Sequence, residues 1–203
     1  MSHVIVLHAP LTGHARAARE PALLAALPYA KRLQLERGDP DARSASLAGI
    51  ALALQAAARL RGREVLAADL RFPQDGKPGL VDGPFFSISH SVTHVTCAAS
   101  HVIDCGIDIE DAGSVSPMPR AMRERLRVWT ATEAVLKAAG LGLRAVKEVT
   151  VAADLCTAKL RGVRYWLLEL ELGPDTVAHL AAPRPIRSVR IEAYPPAPVA
   201  PAP

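Results

Sequence analysis

The sequence predicts an α+β protein made of two halves of similar size, and three observations predict it. Strand, helices and strands follow one another in the first half, and the same order returns in the second. Half of the 203 residues are apolar, enough to bury a sizeable core. The strongest helical stretch, Ala42 to Leu60, is rich in alanine and leucine and lies between segments that read as strands. The halves, residues 1–103 and 104–194, meet near His101 to Asp104 and share no evident sequence identity. Residues 195–203 follow as a Pro/Ala tail expected to be disordered or extended.

Taken in order, Val4 to Leu7 reads as a first strand. Arg16 to Leu27 and Tyr29 to Leu35 read as helices divided at Pro28, because proline cannot continue a helix. Gly38-Asp39-Pro40-Asp41 is a loop and a helix start, and Arg61-Gly62 closes the long helix. Pro73 to Gly79 is turn chemistry throughout. Strands are expected at Phe85 to Ile88, Val95 to Ser100 and Cys105 to Glu110, with Ser89-His90-Ser91 and His101 in the loops between them. A connector, Asp111 to Pro119, leads to one helix over Arg120 to Leu126 and another over Thr130 to Ala139, ended by Gly140. Further strands are expected at Val149 to Ala152, Lys159 to Val163, Tyr165 to Glu171, Val177 to Ala181 and Arg187 to Tyr194.

Composition narrows the function. The formal charge of +4 suits an anionic ligand or an acidic partner. It is far from the clustered basic stripe of a nucleic-acid binder, and the scattered arginines and scarce aromatics argue the same way. Cys97, Cys105 and Cys156 have no metal-ligand spacing and read as reduced thiols, buried or partly buried. The apolar stretch Ile50 to Ala58 is too short to span a bilayer, and Met1-Ser2-His3-Val4 does not open a signal peptide. A cytoplasmic protein is expected, with neither membrane nor nucleic acid as partner.

The chemistry centres on Gly106-Ile107-Asp108-Ile109-Glu110. Alternate residues of a strand share a face, so Ile107 and Ile109 point into the core while Asp108 and Glu110 point away together. Two adjacent carboxylates repel unless a cation lies between them, and oxygen donors favour a hard divalent ion, magnesium above all. An ordinary strand with a wet acidic face explains the pentapeptide equally well. In Trp129-Thr130-Ala131-Thr132-Glu133-Ala134-Val135-Leu136-Lys137, Glu133 and Lys137 lie one helical turn apart. Thr130 with Glu133 also matches a capping box, and Glu133 with Lys137 an ordinary surface pair. Phe86-Ser87-Ile88-Ser89-His90-Ser91 offers hydroxyl, imidazole and backbone donors suited to a phosphate. A serine-hydrolase reading fails for want of the G-x-S-x-G elbow. Gly76-Lys77-Pro78 places a cation on a stiff turn, or is a plain surface lysine.

The four motifs in this order, the last extended through Gly140 and Gly142-Leu143, resemble the 4′-phosphopantetheinyl transferase family, and most closely its pseudo-dimeric, surfactin-synthetase-activating branch. The resemblance is clear from about Gly76 to Leu143. It implies an α+β pseudo-dimer of two similar halves with the active site in the cleft between them, acting as a monomer. It implies an enzyme that moves 4′-phosphopantetheine from coenzyme A to a serine of an apo acyl or peptidyl carrier protein and releases 3′,5′-ADP. By the same resemblance Asp108, Glu110 and Glu133 would hold Mg2+, Ser89 and His90 would grip nucleotide phosphates, and Lys77 with Pro78 would meet the adenosine end. Lys137 would lie on the pyrophosphate, with Glu133 and Lys137 as the catalytic pair. The alternative is a non-catalytic relative that binds coenzyme A or a carrier protein.

The chain departs from the family pattern in three places. Thr132 stands where a basic residue commonly precedes the glutamate. The segment Asp111 to Val128 is short where the family carries a longer helical cradle for the carrier. Ala45 falls where an arginine commonly binds the 3′-phosphate, which leaves Arg43, half a helical turn away, as the substitute candidate.

Overall fold

The computed structural model describes residues 3–11, 20–73, 77–113 and 115–194. Arg16 to Arg19 of the first expected helix, Gln74 to Gly76 of the turn, Ser114 of the connector and the 195–203 tail lie outside the described residues. The first half supplies β1 (His3–Pro10), α1 (Glu20–Ala26), α2 (Tyr29–Arg37) and α3 (Pro40–Arg61). It continues through β2 (Leu70–Arg71), β3 (Gly79–Leu80), β4 (Phe85–His90) and β5 (His94–Ser100). The second supplies β6 (Gly106–Asp111), α4 (Arg120–Ala138), β7 (Val149–Val151), β8 (Thr157–Leu160), β9 (Val163–Leu170), β10 (Thr176–Ala182) and β11 (Ser188–Ala193).

This is the expected α+β mixture, arranged mainly in two sheets. One has the order β11-β1-β5-β4, the other β6-β10-β9-β8-β7, and β2 pairs separately with β3. Long helix α3 starts where Asp39 accepts the amides of Asp41 and Ala42 at 3.0 and 2.9 Å, and it stops at Gly62, whose φ of 66° suits glycine. Its Leu47, Ile50, Ala53 and Ala56 pack on Leu7, Phe86, Val95 and Cys97 of the first sheet. The reverse face of that sheet (Val4, Val6, Ala98) packs on Ile107, Ile109, Ala178 and Leu180 of the second. On the far side of the second sheet, α4 buries Ala131, Ala134, Val135 and Ala138 against Leu160, Leu167 and Ala181. The order from outside to outside is helix, sheet, sheet, helix.

Three expectations need correction. The two helices expected at Arg120–Leu126 and Thr130–Ala139 are one, because Thr130 caps nothing: its hydroxyl donates to Leu126 O at 2.8 Å, one turn back within the helix. Lys159 to Val163 is not one strand, since Arg161 and Gly162, at φ 50° and 81°, form the two-residue turn joining β8 to β9. Ser89 and His90 belong to β4, whose pairing with β5 runs through His90. Strand β11 crosses to the first sheet and pairs in parallel with β1, from His3 opposite Ser188 to His8 opposite Ala193. The unpaired outer edge of β1 accepts it, so the 104–194 segment contributes one strand to the first sheet. Cys97 and Cys105 are buried free thiols, whereas Cys156 is exposed, against the expectation for it. Among the described residues no helix is long and apolar enough to cross a membrane.

Candidate functional site

Strand β6 lies at the edge of its sheet, and alternation divides its side chains as expected. Ile107 and Ile109 are fully buried between the sheets, and Asp108 and Glu110 face α4. An edge strand leaves amides unpaired. Here Ser87 Oγ on β4 accepts from Ile107 N at 3.2 Å and Ser89 Oγ from Ile109 N at 3.4 Å. These two serines stitch the first sheet to the second and bring β4 alongside the carboxylate strand.

Asp108 is only 2% exposed. Its Oδ1 accepts from Ser89 Oγ at 2.7 Å and from Lys137 Nζ at 2.5 Å, and Lys137 also donates to Ser89 Oγ at 2.9 Å. Its Oδ2 is buried without a hydrogen-bond partner. Glu133, one turn before Lys137, has Oε2 3.8 Å from the ammonium, and Trp129 Nε1 donates to Glu110 Oε1 at 3.3 Å. The Glu110 and Glu133 carboxyls are both pushed above the usual glutamate value, by burial first and by the Asp108 charge second. Lys137 pulls both back down, and Trp129 pulls Glu110. One ammonium among three acids leaves surplus negative charge in a half-buried place, so the donor chemistry fits a hard cation. Among the described residues no three His, Cys, Asp or Glu groups converge closely enough to hold a metal ion as they stand. The ammonium of Lys137 sits against Asp108 instead.

A cavity of about 830 Å³ opens beside Lys137, walled by Lys77, Pro78 and Ser87 on one side and by the Gly140–Arg144 loop on the other. Lys77 is tied down there: it forms an ion pair with Asp104 and donates to Cys105 O at 2.5 Å. His90 is exposed at the end of β4 and, by alternation, on the strand face opposite Ser89. Arg43 is half-buried in the first turn of α3 and does not line the cavity. The structure therefore gathers Ser89, Asp108, Glu110, Glu133 and Lys137 into one place, sets Lys77 and Pro78 in the adjoining wall, and leaves Arg43 apart. Leu141 within the Gly140-x-Gly142 turn and Arg144 just after it carried no other signal in the sequence.

His179 of β10 also escaped the sequence reading. It lies opposite Asp108 in the sheet and is fully buried. Since Thr130 Oγ1 gives its proton to Leu126 O, it accepts the His179 Nδ1 proton at 2.7 Å. Burial holds His179 down at about 4, helped by Arg127 and opposed by Glu169. A histidine with a depressed folded value stabilises the fold above its unfolded value and loses that contribution as pH falls through the folded one. Between about pH 6.5 and 4 the wild-type protein should lose about 3 kcal/mol that a His179→Leu variant keeps. Urea unfolding at several pH values reads the difference, and parallel curves for the two proteins would contradict a buried neutral His179.

The chain is 32% identical over 127 residues to the 4′-phosphopantetheinyl transferase HetI of a Nostoc species, a match that covers 49% of this chain and 53% of that protein. The chain thus spans about half the length of the curated relative it matches. No family model matches it.

Proposed function

We propose that the chain is a 4′-phosphopantetheinyl transferase, transferring the phosphopantetheine arm of coenzyme A to a serine hydroxyl of an acyl or peptidyl carrier protein in the cytoplasm. The observation that carries this reading is the half-buried group Asp108–Ser89–Lys137–Glu133, with Asp108 Oδ2 unpartnered, beside a cavity walled by both halves of the chain. The likeness to a protein of that name supports it independently. Each half is a sheet with one long helix on its outer face, which supports the pseudo-dimeric reading with the cleft between the halves. With the second half seated on the first, a monomer is the simplest active form.

Asp108, Glu110 and Glu133 would hold magnesium, and the chemistry such an ion supplies is neutralisation of charge on the phosphoryl oxygens. The chain's own residues do the rest. Glu133, one helical turn from Lys137, takes the proton of the attacking hydroxyl as its oxygen bonds to the β-phosphorus of coenzyme A. Lys137, which lies beside the cavity, would present its ammonium to the bridging oxygen that leaves with 3′,5′-ADP. His90 clamps a nucleotide phosphate from the end of β4, and Ser89 orients Asp108 and Lys137 at once. Lys77 and Pro78 form the wall against the adenosine end, and Arg43 is left as an outlying candidate for the 3′-phosphate.

Intact-mass measurement of apo carrier proteins incubated with this protein, coenzyme A and magnesium tests the reading. A gain of one phosphopantetheine, abolished by EDTA, is expected on at least one carrier. Coenzyme A binding without any gain would mark a non-catalytic binder. Absence of both coenzyme A binding and mass gain would overturn the proposal.

A further inference from the structure

The residue after Glu110 holds more hydrogen bonds than a strand end requires. Asp111 Oδ2 accepts from Ser91 Oγ at 2.6 Å, Thr93 Oγ1 at 2.6 Å and Thr93 N at 2.8 Å, and Oδ1 accepts from Gly113 N at 2.8 Å. Ser91 to Thr93 is the turn between β4 and β5, in the first half, whereas Asp111 ends β6 in the second. Since Thr93 gives its hydroxyl proton to Asp111, its oxygen is left to accept from His94 Nδ1, at 2.7 Å. The His94 ring lies against Gly173, where a Cβ would stand 2.6 Å from Nε2. The turn is thus gripped from two sides by the second half, with His90 at one end and Asp108 and Glu110 just upstream of the grip.

We propose that Asp111 is a positioning residue that fixes the phosphate-binding end of β4 relative to the carboxylates of β6. This rests on the transferase reading above. The plain alternative is that Asp111 merely satisfies the donors of a surface turn. The two differ in what moves when the grip loosens: a turn filler affects stability alone, while a positioning clip sets how well the coenzyme A phosphates fit against the acidic strand.

Asp111→Asn keeps the shape but presents an amide NH2 or a single carbonyl to three donors. Thr93→Val removes one of those donors and Thr93→Ser keeps it. In the intact-mass assay, Asp111→Asn should raise the KM for coenzyme A about tenfold, the loss expected for charge-assisted hydrogen bonds, with kcat little changed. Thr93→Val should shift KM the same way and Thr93→Ser should match wild type. Hydrogen exchange at residues 90–94 should quicken in Asp111→Asn and Thr93→Val. A wild-type KM in both variants, or an equal rise in Thr93→Ser, overturns the proposal even if melting temperatures fall. Should Asp111→Asn fail to fold, the Thr93 pair decides alone. A wild-type protein that neither binds nor turns over coenzyme A overturns the transferase reading instead, and the role of the clip with it.

Discussion

An Asp108→Asn protein should fold and lose about a thousandfold in transfer rate, the scale of removing one preorganised charge contact from a phosphoryl or acyl transfer site. The amide still accepts from Ser89 through one oxygen, so the β4–β6 contact survives. What disappears is the charge that holds Lys137 and the unpartnered Oδ2 that suits a cation. The same substitution has a signature free of any activity assay. Glu110 and Glu133 are raised by burial and then by Asp108, so in the metal-free protein their contribution to stability is present below the ordinary glutamate value of 4.5 and lost as pH rises through the raised values. Asp108→Asn removes part of that repulsion and should flatten this loss. Melting curves with EDTA from pH 4.5 upward read it, and a transfer rate near wild type would remove Asp108 from the site.

Gly106→Ala should cost about 3 kcal/mol or more, among the larger penalties for overpacking. An added Cβ would stand 2.0 Å from Ala134 O, 2.3 Å from Ala138 N and 2.9 Å from Lys137 C, all backbone of α4. Helix backbone cannot step aside as a side-chain tip can, so the helix must lift from β6. For a domain of this size, that is a fall of about 10 °C in melting temperature. Lifting α4 also carries Lys137 and Glu133 away from Asp108, so residual folded protein should transfer about a hundredfold more slowly. Gly142→Ala is the control: nothing lies within 4 Å of its Cβ, and at φ −84° any residue is tolerated there. Equal melting temperatures for the two variants would deny the close helix–strand contact.

Patterns within a few residues of one another were legible. The alternation in Gly106 to Glu110 put both isoleucines inward and both acids together on the other face, which the fold then sets against α4. Asp39, Pro40 and Gly62 bracketed the long helix to within two residues, because caps are satisfied by neighbours. The helical spacing of Glu133 and Lys137 placed them on one face, and a 3.8 Å contact follows from that spacing alone.

What partners those residues meet was decided elsewhere in the chain. Thr130 reads as a cap locally, yet it turns its hydroxyl back on Leu126 and receives His179 from a strand 49 residues away. Lys77 reads as a free surface cation until Asp104 and the Cys105 carbonyl are folded against it. The last strand belongs to the first sheet because the outer edge of β1 was unpaired, which nothing between Ser188 and Ala193 announces. By itself the sequence determined which side chains share a face, where the long α3 begins and ends, and which residue types could bind phosphate and cation. Only the tertiary structure decided that Ser89 and Lys137 converge on Asp108, that α4 runs unbroken, and that β4, Lys137 and the Gly140–Arg144 loop wall one cavity. Periodicity and capping are set by backbone geometry over one or two turns, whereas these contacts depend on which distant surfaces are buried together.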